Sequence, residues 1–384
     1  MKKKICSWLD SNIRGGIQIL DDRIYPCCGI SEPMFAEKDL DYSKITVEDI
    51  RAKRNELVEQ INAGNACQKC EQIIEKEEED INVGKISYLS IGLFSTCNLR
   101  CKYCYFTHDE LSKKLTPQRT QLLPFVKKLA EGGFLKDDVQ MGVAGGEPTL
   151  FEDLPETLKY LEEHFSKPSV ILLSNSSVTA RVNKIIEELK DCKLSKTLYT
   201  SIDAGTPQTY EKIRGRDLFK NATENIINYA KNNIFDKITL KYILMFDHSN
   251  TSDKDIFGFL NFFNKVRKYQ KGVIGMTIDC DMLSKEPFDE RMIAAAGKLY
   301  YVATEIFGVE VTYCGGGLVH TTAQGKERIN LVEEYASKYK TLPKSLYEKL
   351  MLKRYEICSL ISNFNKCFYT YKRICRLIKI LYFS

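Results

Sequence analysis

The chain has 384 residues, of which 43% are hydrophobic and 28% charged, a composition typical of a globular protein with one large domain and a smaller one. Its formal net charge is only +5, and basic and acidic residues alternate over most of its length, so we expect no nucleic-acid partner. No stretch approaches the roughly 18 to 20 consecutive apolar residues of a membrane span, and polar residues interrupt the segment after the basic start Met1–Lys4. We therefore expect a cytoplasmic protein.

Five of the fourteen cysteines lie in the first seventy residues: Cys6, Cys27, Cys28, Cys67 and Cys70. In a reducing compartment such clustering indicates metal or cluster ligands before disulfides. The set suffices for one four-ligand site with one cysteine to spare, and either Cys27 or Cys28 would serve. Structural zinc is an alternative to an iron–sulfur cluster, since Cys-x2-Cys pairs also form zinc knuckles.

Composition and patterning divide the chain into four predicted parts. Residues 1–72 form a small cysteine-rich module with a polar helix near 47–62. Residues 73–85 form an acidic linker, which we predict to be helical and solvated, as charge runs usually are. Residues 86–282 alternate β-rich runs with amphipathic segments, and residues 283–384 form a mostly helical C-terminal extension.

The third part carries a strand-then-helix repeat. Strands are predicted at Ile86–Phe94, Val139–Val143, Val170–Ser174, Thr197–Ile202, Lys237–Met245 and Val273–Asp279, with helices near 116–131, 153–165, 178–190, 218–232 and 252–268. Such repeats imply a parallel sheet with right-handed crossovers, so the fold class is α/β, closing as a partial (β/α)6 TIM-like barrel. The residues just after each strand are then the candidates for chemistry, because active sites of such barrels lie at the carboxyl ends of the strands.

The first predicted strand is followed by a C-x3-C-x2-C loop formed by Cys97, Cys101 and Cys104. Thiolates are soft ligands, and three on one loop can hold three irons of a four-iron four-sulfur (4Fe-4S) cluster. The fourth iron then stays open to the amino and carboxylate groups of a small molecule. A structural zinc site would need a fourth ligand, for which His108 is the nearest candidate.

This loop resembles the signature of the radical S-adenosylmethionine (radical SAM) superfamily. Tyr103 matches the aromatic residue before the third cysteine, and the resemblance implies that it packs near the adenine of the cofactor. The second strand ends in Gly145-Gly146-Glu147-Pro148, similar to the family's G-G-E-P motif, whose backbone binds the amino group of S-adenosylmethionine. The glycines leave room for a ligand to approach the backbone. Taken alone, the same four residues would indicate a turn before a helix.

Polar side chains lie at the ends of the third and fourth strands, at Asn175 and Ser201, with Arg214 further along. Asparagine and serine can hold ribose hydroxyls, and arginine can pair with a carboxylate through two hydrogen bonds. The resemblance implies cofactor contacts for these residues. The alternatives are helix N-caps for Asn175 and Ser201, and a surface salt bridge for Arg214.

At the end of the sixth strand, Asp279, Cys280 and Asp281 place two carboxylates and a thiol where a substrate would lie. We predict a catalytic or hydrogen-bonding role for them, with helix N-capping as the alternative. Lys241 receives no role. Cys314 is either a pocket thiol or an ordinary free cysteine.

The N-terminal cysteines are similar to the SPASM and twitch modules that carry auxiliary iron–sulfur clusters in part of the radical SAM superfamily. Two features depart from the pattern. Those modules normally follow the barrel, and a full SPASM domain has cysteines for two clusters. The resemblance therefore implies one auxiliary cluster in a swapped position.

From Lys366 onward the chain is basic and aromatic. This composition is typical of an interfacial amphipathic helix on an anionic membrane, with a terminal helix packed on the barrel as the alternative.

The resemblance implies a radical SAM enzyme, which cleaves S-adenosylmethionine reductively to a 5′-deoxyadenosyl radical that abstracts hydrogen from a substrate. A reductant such as flavodoxin or ferredoxin would supply the electron. The SPASM likeness favours peptide or protein modification, with a sugar or another small molecule as the alternative. The rival from another class is a non-catalytic iron–sulfur or zinc binding protein on the barrel scaffold.

Overall fold

The structure is a computed structural model, and it describes residues 1–20, 23–27, 34, 44–68, 70, 72–92, 97–104, 122–281, 283–284, 286–313, 318 and 322–360. The chain forms two compact units. The first comprises Met1–Ser201, Tyr210–Thr239 and Lys271–Val273, and the second comprises Ile202–Thr209, Leu240–Gln270 and Ile274–Ser384.

Helices and strands alternate through most of the described chain. The helices are α1 Val47–Asn62, α2 Leu122–Glu131, α3 Leu154–His164, α4 Thr179–Leu189, α5 Pro207–Arg214, α6 Phe219–Lys231, α7 Asp253–Tyr269, α8 Glu290–Tyr301 and α9 Ala323–Tyr339, and residues 346–360 are also helical. The strands are β1 Lys2–Cys6, β2 Gly16–Leu20, β3 Arg23–Tyr25, β4 Ile73–Glu77, β5 Ile86–Gly92, β6 Leu135–Ala144, β7 Ser169–Leu173, β8 Ser195–Ser201, β9 Lys237–Leu244, β10 Val273–Cys280 and β11 Val311–Tyr313. The six predicted barrel strands are thus confirmed within a few residues.

The main sheet of the first unit has the order β3-β2-β5-β6-β7-β8, parallel except for β3. Apolar side chains lie in register across it, as in the row Leu89, Met141 and Val170, each at most 1% exposed. Burying a side chain of this size contributes about 1.5–3 kcal/mol. The α/β class with a parallel sheet is therefore confirmed.

The acidic segment after residue 72 is not the predicted helix. Ile73–Glu77 is a strand antiparallel to Lys2–Cys6, and Glu78–Asp80 is a short 3-10 turn. The register places Lys2 opposite Glu77 and Lys4 opposite Glu75, and opposite charges across a strand pair stabilise it. The same register places Lys3 opposite Lys76 and Ile5 opposite Ile74, so it is pairing with a distant strand as a whole, and not charge alone, that gives this segment its strand conformation.

The N-terminal residues also extend the main sheet, because β2 pairs in parallel with β5. The predicted boundary at residue 72 therefore does not separate two sheets. The division into 1–72, 73–85, 86–282 and 283–384 otherwise stays a prediction.

In the second unit the strand order is β11-β10-β9, and β11 pairs in parallel with β10. The strand β11 was not predicted. Helix α7 contacts the loop at Gly205 closely, since a Cβ there would lie 2.1 Å from the carbonyl oxygen of Asp255. Of the helices in the described ranges, none combines the length and apolar character required to cross a membrane.

Candidate cluster and cofactor site

The cysteine loop after β5 is fixed to the end of α5 by backbone hydrogen bonds. The Arg100 amide donates to the Arg214 carbonyl (3.1 Å), and the Lys102 amide donates to the Ile213 carbonyl (2.9 Å). Gly215 follows with a φ of +77°, and a Cβ there would lie 2.7 Å from the Arg100 carbonyl oxygen. Only glycine fits this approach. The cysteine loop is thus held against the C-terminal end of α5.

Arg214 is buried beside the loop cysteines. Its Nη1 lies 3.2 Å from Sγ of Cys101, and its Nη2 donates to the Ser201 carbonyl. The guanidinium carbon lies 5.4 Å from the Tyr103 ring centroid and 5.8 Å from that of Tyr210. Because Arg214 is only 5% exposed, a surface salt bridge is the wrong interpretation. Ser201 is not a helix N-cap either, since α5 begins six residues later at Pro207.

The loop thiols are only partly accessible. Cys101 is buried, and Cys97 and Cys104 are half-buried. Burial raises the pKa of the Cys97 thiol to about 11, although the Leu99 amide donates to its sulfur at 3.4 Å and acts in the opposite direction. Metal binding requires the thiolate, so a bound cation would displace this proton.

The glycine pair after β6 has backbone conformations that other residues rarely adopt. The φ angle is +73° at Gly145 and +61° at Gly146. With no side chain at either position, a ligand can reach the backbone of this turn.

The Glu147 side chain is fully buried and accepts four hydrogen bonds. Its Oε1 accepts from the Thr149 amide (3.1 Å), Thr149 Oγ1 (2.6 Å) and Ser174 Oγ (2.7 Å), and its Oε2 accepts from the Asn175 amide (2.7 Å). Burial raises the pKa of the Glu147 carboxyl, while these donors act in the opposite direction. The carboxylate therefore ties the end of β6 to the end of β7.

Asn175 connects the loop after β7 to the cysteine loop. Its Nδ2 donates to Asn98 Oδ1 (2.8 Å) and lies 4.0 Å from the Cys97 sulfur, while Asn98 Nδ2 donates to Ser177 Oγ (2.8 Å). Asn175 is not a helix N-cap, because Val178 holds that position for α4. Asn98 and Ser177 were not predicted. The position of Asn98 directly after the first loop cysteine was the available signal.

In the second unit, Asp279 is buried and paired with Lys241. Its Oδ2 lies 2.7 Å from Lys241 Nζ, and its Oδ1 accepts from the amides of Cys280 (2.8 Å) and Leu318 (3.2 Å). Burial raises the pKa of the Asp279 carboxyl, and Lys241 acts against this shift. Asp281 accepts from the Leu283 amide (2.9 Å) within a local turn, so neither aspartate caps a helix. Lys241 was missed because no motif surrounds it.

Cys280 is a buried thiol rather than a reactive one. Burial raises its pKa to about 12, although Arg328 Nη1 lies 3.7 Å from the sulfur and favours the thiolate. These surroundings favour the protonated thiol, whereas a catalytic cysteine needs an accessible thiolate, so they do not support the predicted catalytic role of Cys280.

The N-terminal cysteines come together from distant positions in the sequence. Cys6 belongs to an apolar cluster against which Cys27 and Cys67 pack, and the Cys70 amide donates to the Cys67 carbonyl (3.0 Å). Burial raises the pKa of the Cys6 thiol to about 11, and the neighbouring Cys27 and Cys70 add to the shift. Over the described ranges, however, no three cysteine, histidine, aspartate or glutamate side chains have the arrangement of a formed metal site.

Several predictions concern residues outside the described ranges: Cys28, His108, Cys314 and the basic segment from Lys366.

Comparison with known proteins identifies a domain. Residues 91–260 match the model of the radical SAM superfamily, so the chain contains a radical SAM domain. A GTP 3′,8-cyclase of Aliarcobacter butzleri is 27% identical over 183 residues, which cover 46% of this chain and 52% of that protein. An S-adenosylmethionine-dependent nucleotide dehydratase of Lacinutrix mariniflava is 29% identical over 131 residues, which cover 33% of this chain and 26% of that protein. The matched region thus spans about half or less of these relatives.

Solved structures resemble the protein more distantly. Streptococcus suis SuiB bound to its precursor peptide SuiA gives a TM-score of 0.44 at 14% identity, covering 75% of this chain and 58% of that one. A radical SAM methyltransferase from Sphaerobacter thermophilus gives 0.42 at 13% identity, covering 63% and 69%. Likeness at this level does not indicate a substrate.

Proposed function

We propose that this chain, with its radical SAM domain at residues 91–260, is a radical SAM enzyme that acts on a small molecule. Cys97, Cys101 and Cys104 would hold three irons of a 4Fe-4S cluster. Together with S-adenosylmethionine, the cluster supplies the one-electron chemistry that removes a hydrogen atom from the substrate.

The geometry around Arg214 is the observation that carries this proposal. Three thiols stand on one loop, and a buried guanidinium lies 3.2 Å from one of the sulfurs. A cation at this distance favours deprotonated sulfur, as cluster binding requires. Backbone hydrogen bonds fix the loop, and its three thiols are a donor set that fits a cluster with an open iron.

The neighbouring loops would hold S-adenosylmethionine. We assign the contact to its amino group to the backbone at Gly145 and Gly146, and packing near its adenine to Tyr103. Asn175, Ser201 and Arg214 complete the predicted set, and Glu147 positions the turn through its four internal hydrogen bonds. In the second unit, Asp279, which is paired with Lys241, stays our candidate for a catalytic or hydrogen-bonding role.

The N-terminal cysteines would hold one auxiliary 4Fe-4S cluster, through Cys6, Cys67, Cys70 and either Cys27 or Cys28. The packing of Cys6, Cys27 and Cys67 around one apolar cluster supports this assignment, as does the turn that joins Cys67 to Cys70. Zinc at this position is the competing outcome.

The names of the relatives support a different substrate class from the one that the SPASM likeness favours. The similar proteins are named a GTP cyclase and a nucleotide dehydratase, so we propose a nucleotide-type small molecule in place of the expected peptide. A flavodoxin or ferredoxin as reductant and a cytoplasmic location remain part of the proposal.

Anaerobic reconstitution tests the function. The protein is loaded with iron and sulfide, reduced, and assayed for 5′-deoxyadenosine with S-adenosylmethionine, with and without GTP and other nucleoside triphosphates. Cys97→Ala should abolish the product, whereas Cys192→Ala, which removes a cysteine outside both proposed sites, should not. About eight irons per chain would indicate two clusters and about four only one. Absence of 5′-deoxyadenosine from the iron-loaded wild type would contradict the enzyme proposal in favour of a non-catalytic metal-binding protein.

A further inference from the structure

The helix of residues 346–360, in the second unit, exposes large apolar side chains to solvent. Leu346, Leu350, Ile357 and Leu360 are 73%, 60%, 48% and 69% exposed. Their positions lie within about 80° of arc around the helix axis, because each residue of an α-helix advances by about 100°. The four side chains therefore form a single row along the helix, which we call the outer stripe.

The opposite face of this helix is fixed to the rest of the second unit. Tyr355 is 1% exposed, and its hydroxyl donates to the Phe257 carbonyl at 2.9 Å. Glu348 is also buried and forms an ion pair with Lys298 at 2.9 Å. These contacts keep the helix from rolling over, so the outer stripe stays turned to solvent. Single exposed leucines are ordinary on a protein surface, whereas an aligned row of apolar side chains indicates an interaction surface.

Cations accompany the outer stripe along its length. Lys353 lies within the row, Lys349 and Arg354 lie on either side of it, and all three residues are exposed. Glu356 is the exposed carboxylate of this helix, so the solvent-facing surface carries three positive charges and one negative charge. Long basic side chains cover apolar surface with their methylene stems while their charged ends reach a polar phase. Apolar residues edged by lysine and arginine are typical of helices that lie in a membrane interface.

Charge complementarity favours lipid as the occupant of the outer stripe. Residues 361–384, which follow this helix in the sequence, contain five basic residues and no acidic residue. The cations beside the stripe would repel this basic segment, and a second copy docked on the same helix would bring like charges together. An anionic lipid surface attracts both the helix and the basic sequence after it.

We propose that the outer stripe docks this protein on the surface of an anionic lipid bilayer. Its four apolar side chains enter the boundary between headgroups and acyl chains, and the three cations beside them pair with the anionic groups of the lipids. The docking site thus begins on the described helix, whereas the sequence alone indicated only the residues from Lys366 onward. None of these residues belongs to the proposed cofactor site, so the inference goes beyond the proposed enzyme function.

Cosedimentation of the full chain with vesicles tests the proposal. The vesicles consist of phosphatidylcholine alone, or of phosphatidylcholine with about one third phosphatidylglycerol. The wild type should bind the anionic vesicles at least about tenfold more tightly than the neutral ones, and added salt should weaken this binding. Leu350→Gln and Ile357→Gln should each lower the affinity about tenfold, because each removes an apolar side chain from the buried contact.

Ile13 supplies a matched control for Ile357. Both isoleucines are 48% exposed, but Ile13 belongs to the other unit and lies outside the stripe. Ile13→Gln should therefore bind vesicles as the wild type does. Substitutions at such exposed positions change stability little, so the unfolding temperatures of all these variants should stay close to that of the wild type.

Tryptophan fluorescence reports insertion of the stripe directly. The single tryptophan of the chain, Trp8, is 3% exposed, so its emission should not respond to vesicles. A new tryptophan in Leu350→Trp should shift its emission to the blue when anionic vesicles are added, because its ring leaves water. Ile13→Trp should show no such shift.

Three results would overturn the inference. The first is a wild type that binds neither kind of vesicle, which would leave a protein partner for the stripe. The second is wild-type binding by Leu350→Gln and Ile357→Gln together with loss of binding when Lys372→Gln and Arg373→Gln are combined, which would assign the lipid contact to the later residues alone. The third is a concentration-dependent dimer that Leu350→Gln abolishes, as measured by sedimentation equilibrium without lipid. Formation of 5′-deoxyadenosine in solution should be the same in all variants, so the two proposals fail independently.

Discussion

The guanidinium of Arg214 lies 3.2 Å from the sulfur of Cys101, and the backbone carbonyl of the same arginine accepts from the cysteine loop. One residue thus fixes the loop and supplies a positive charge to it. Hydrogen bonds to charged groups are worth about 1.5–3 kcal/mol, so removing the Arg214 side chain is expected to disfavour the thiolate form of Cys101 that cluster binding requires.

Arg214→Met is therefore expected to lower 5′-deoxyadenosine formation at least about tenfold, with Arg214→Lys keeping part of the activity because it keeps the charge. The matched control is Arg216→Met, which removes an exposed arginine two residues further on. Product formation per bound iron is the quantity to compare. Equal activities in the two methionine variants would refute a role for the Arg214 charge.

Two glycine-to-alanine variants distinguish the effect of backbone strain from an effect on cofactor binding. Gly145→Ala places a side chain at a φ of +73°, and Gly133→Ala does so at +62°, where a Cβ would meet nothing within 4 Å. Both should lose about 1–2 kcal/mol of stability from the left-handed conformation. Only Gly145→Ala should also weaken S-adenosylmethionine binding, measured by titration calorimetry of the reconstituted protein. Equal affinities for the two variants would exclude the turn from the cofactor site.

Thiol alkylation distinguishes the cysteines by their surroundings. With a pKa of about 12, Cys280 has a thiolate fraction of only about one in ten thousand at pH 8, and it is buried as well. We expect iodoacetamide to leave Cys280 unmodified in the native protein while exposed Cys70 reacts, as read by peptide mass spectrometry. Loading the N-terminal site should then protect Cys70. Rapid labelling of Cys280 would show that its surroundings open readily.

The sequence predicted the elements of this fold well wherever the pattern is local. Alternating apolar residues and strand-length runs located β5 to β10, because side chains such as Leu89 and Met141 are buried in register. Helix α5 was not predicted, although proline at its first position, Pro207, is a common sign of a helix N-terminus. Thr206 caps this end, since its Oγ1 accepts from the Thr209 amide at 3.2 Å.

The misassigned residues depend on partners far away in the chain. Ile73–Glu77 has the composition of a solvated helix, and only pairing with Lys2–Cys6 makes it a strand. Glu147 likewise accepts hydrogen bonds from Ser174 and Asn175, nearly thirty residues on, and its motif does not predict these contacts. Composition and local spacing do not predict such long-range contacts, because the contacts depend on strand register and on where the loops lie in the folded chain.

The pair formed by Lys241 and Asp279 gives a stability prediction with a defined pH dependence. Lys241→Met leaves a buried carboxylate without the cation that opposes its desolvation, so the pKa of Asp279 should rise further above its ordinary value. Below the ordinary pKa of an aspartate, the carboxyl is protonated in both folded and unfolded states, and the variant suffers little penalty. As the pH rises through the folded-state pKa, the penalty grows toward about 3–5 kcal/mol. Urea unfolding at several pH values should therefore show the largest loss at neutral and alkaline pH, while Lys241→Met combined with Asp279→Asn should show a loss that does not vary with pH. A deficit in Lys241→Met that grows on acidification would contradict a buried ion pair at this position.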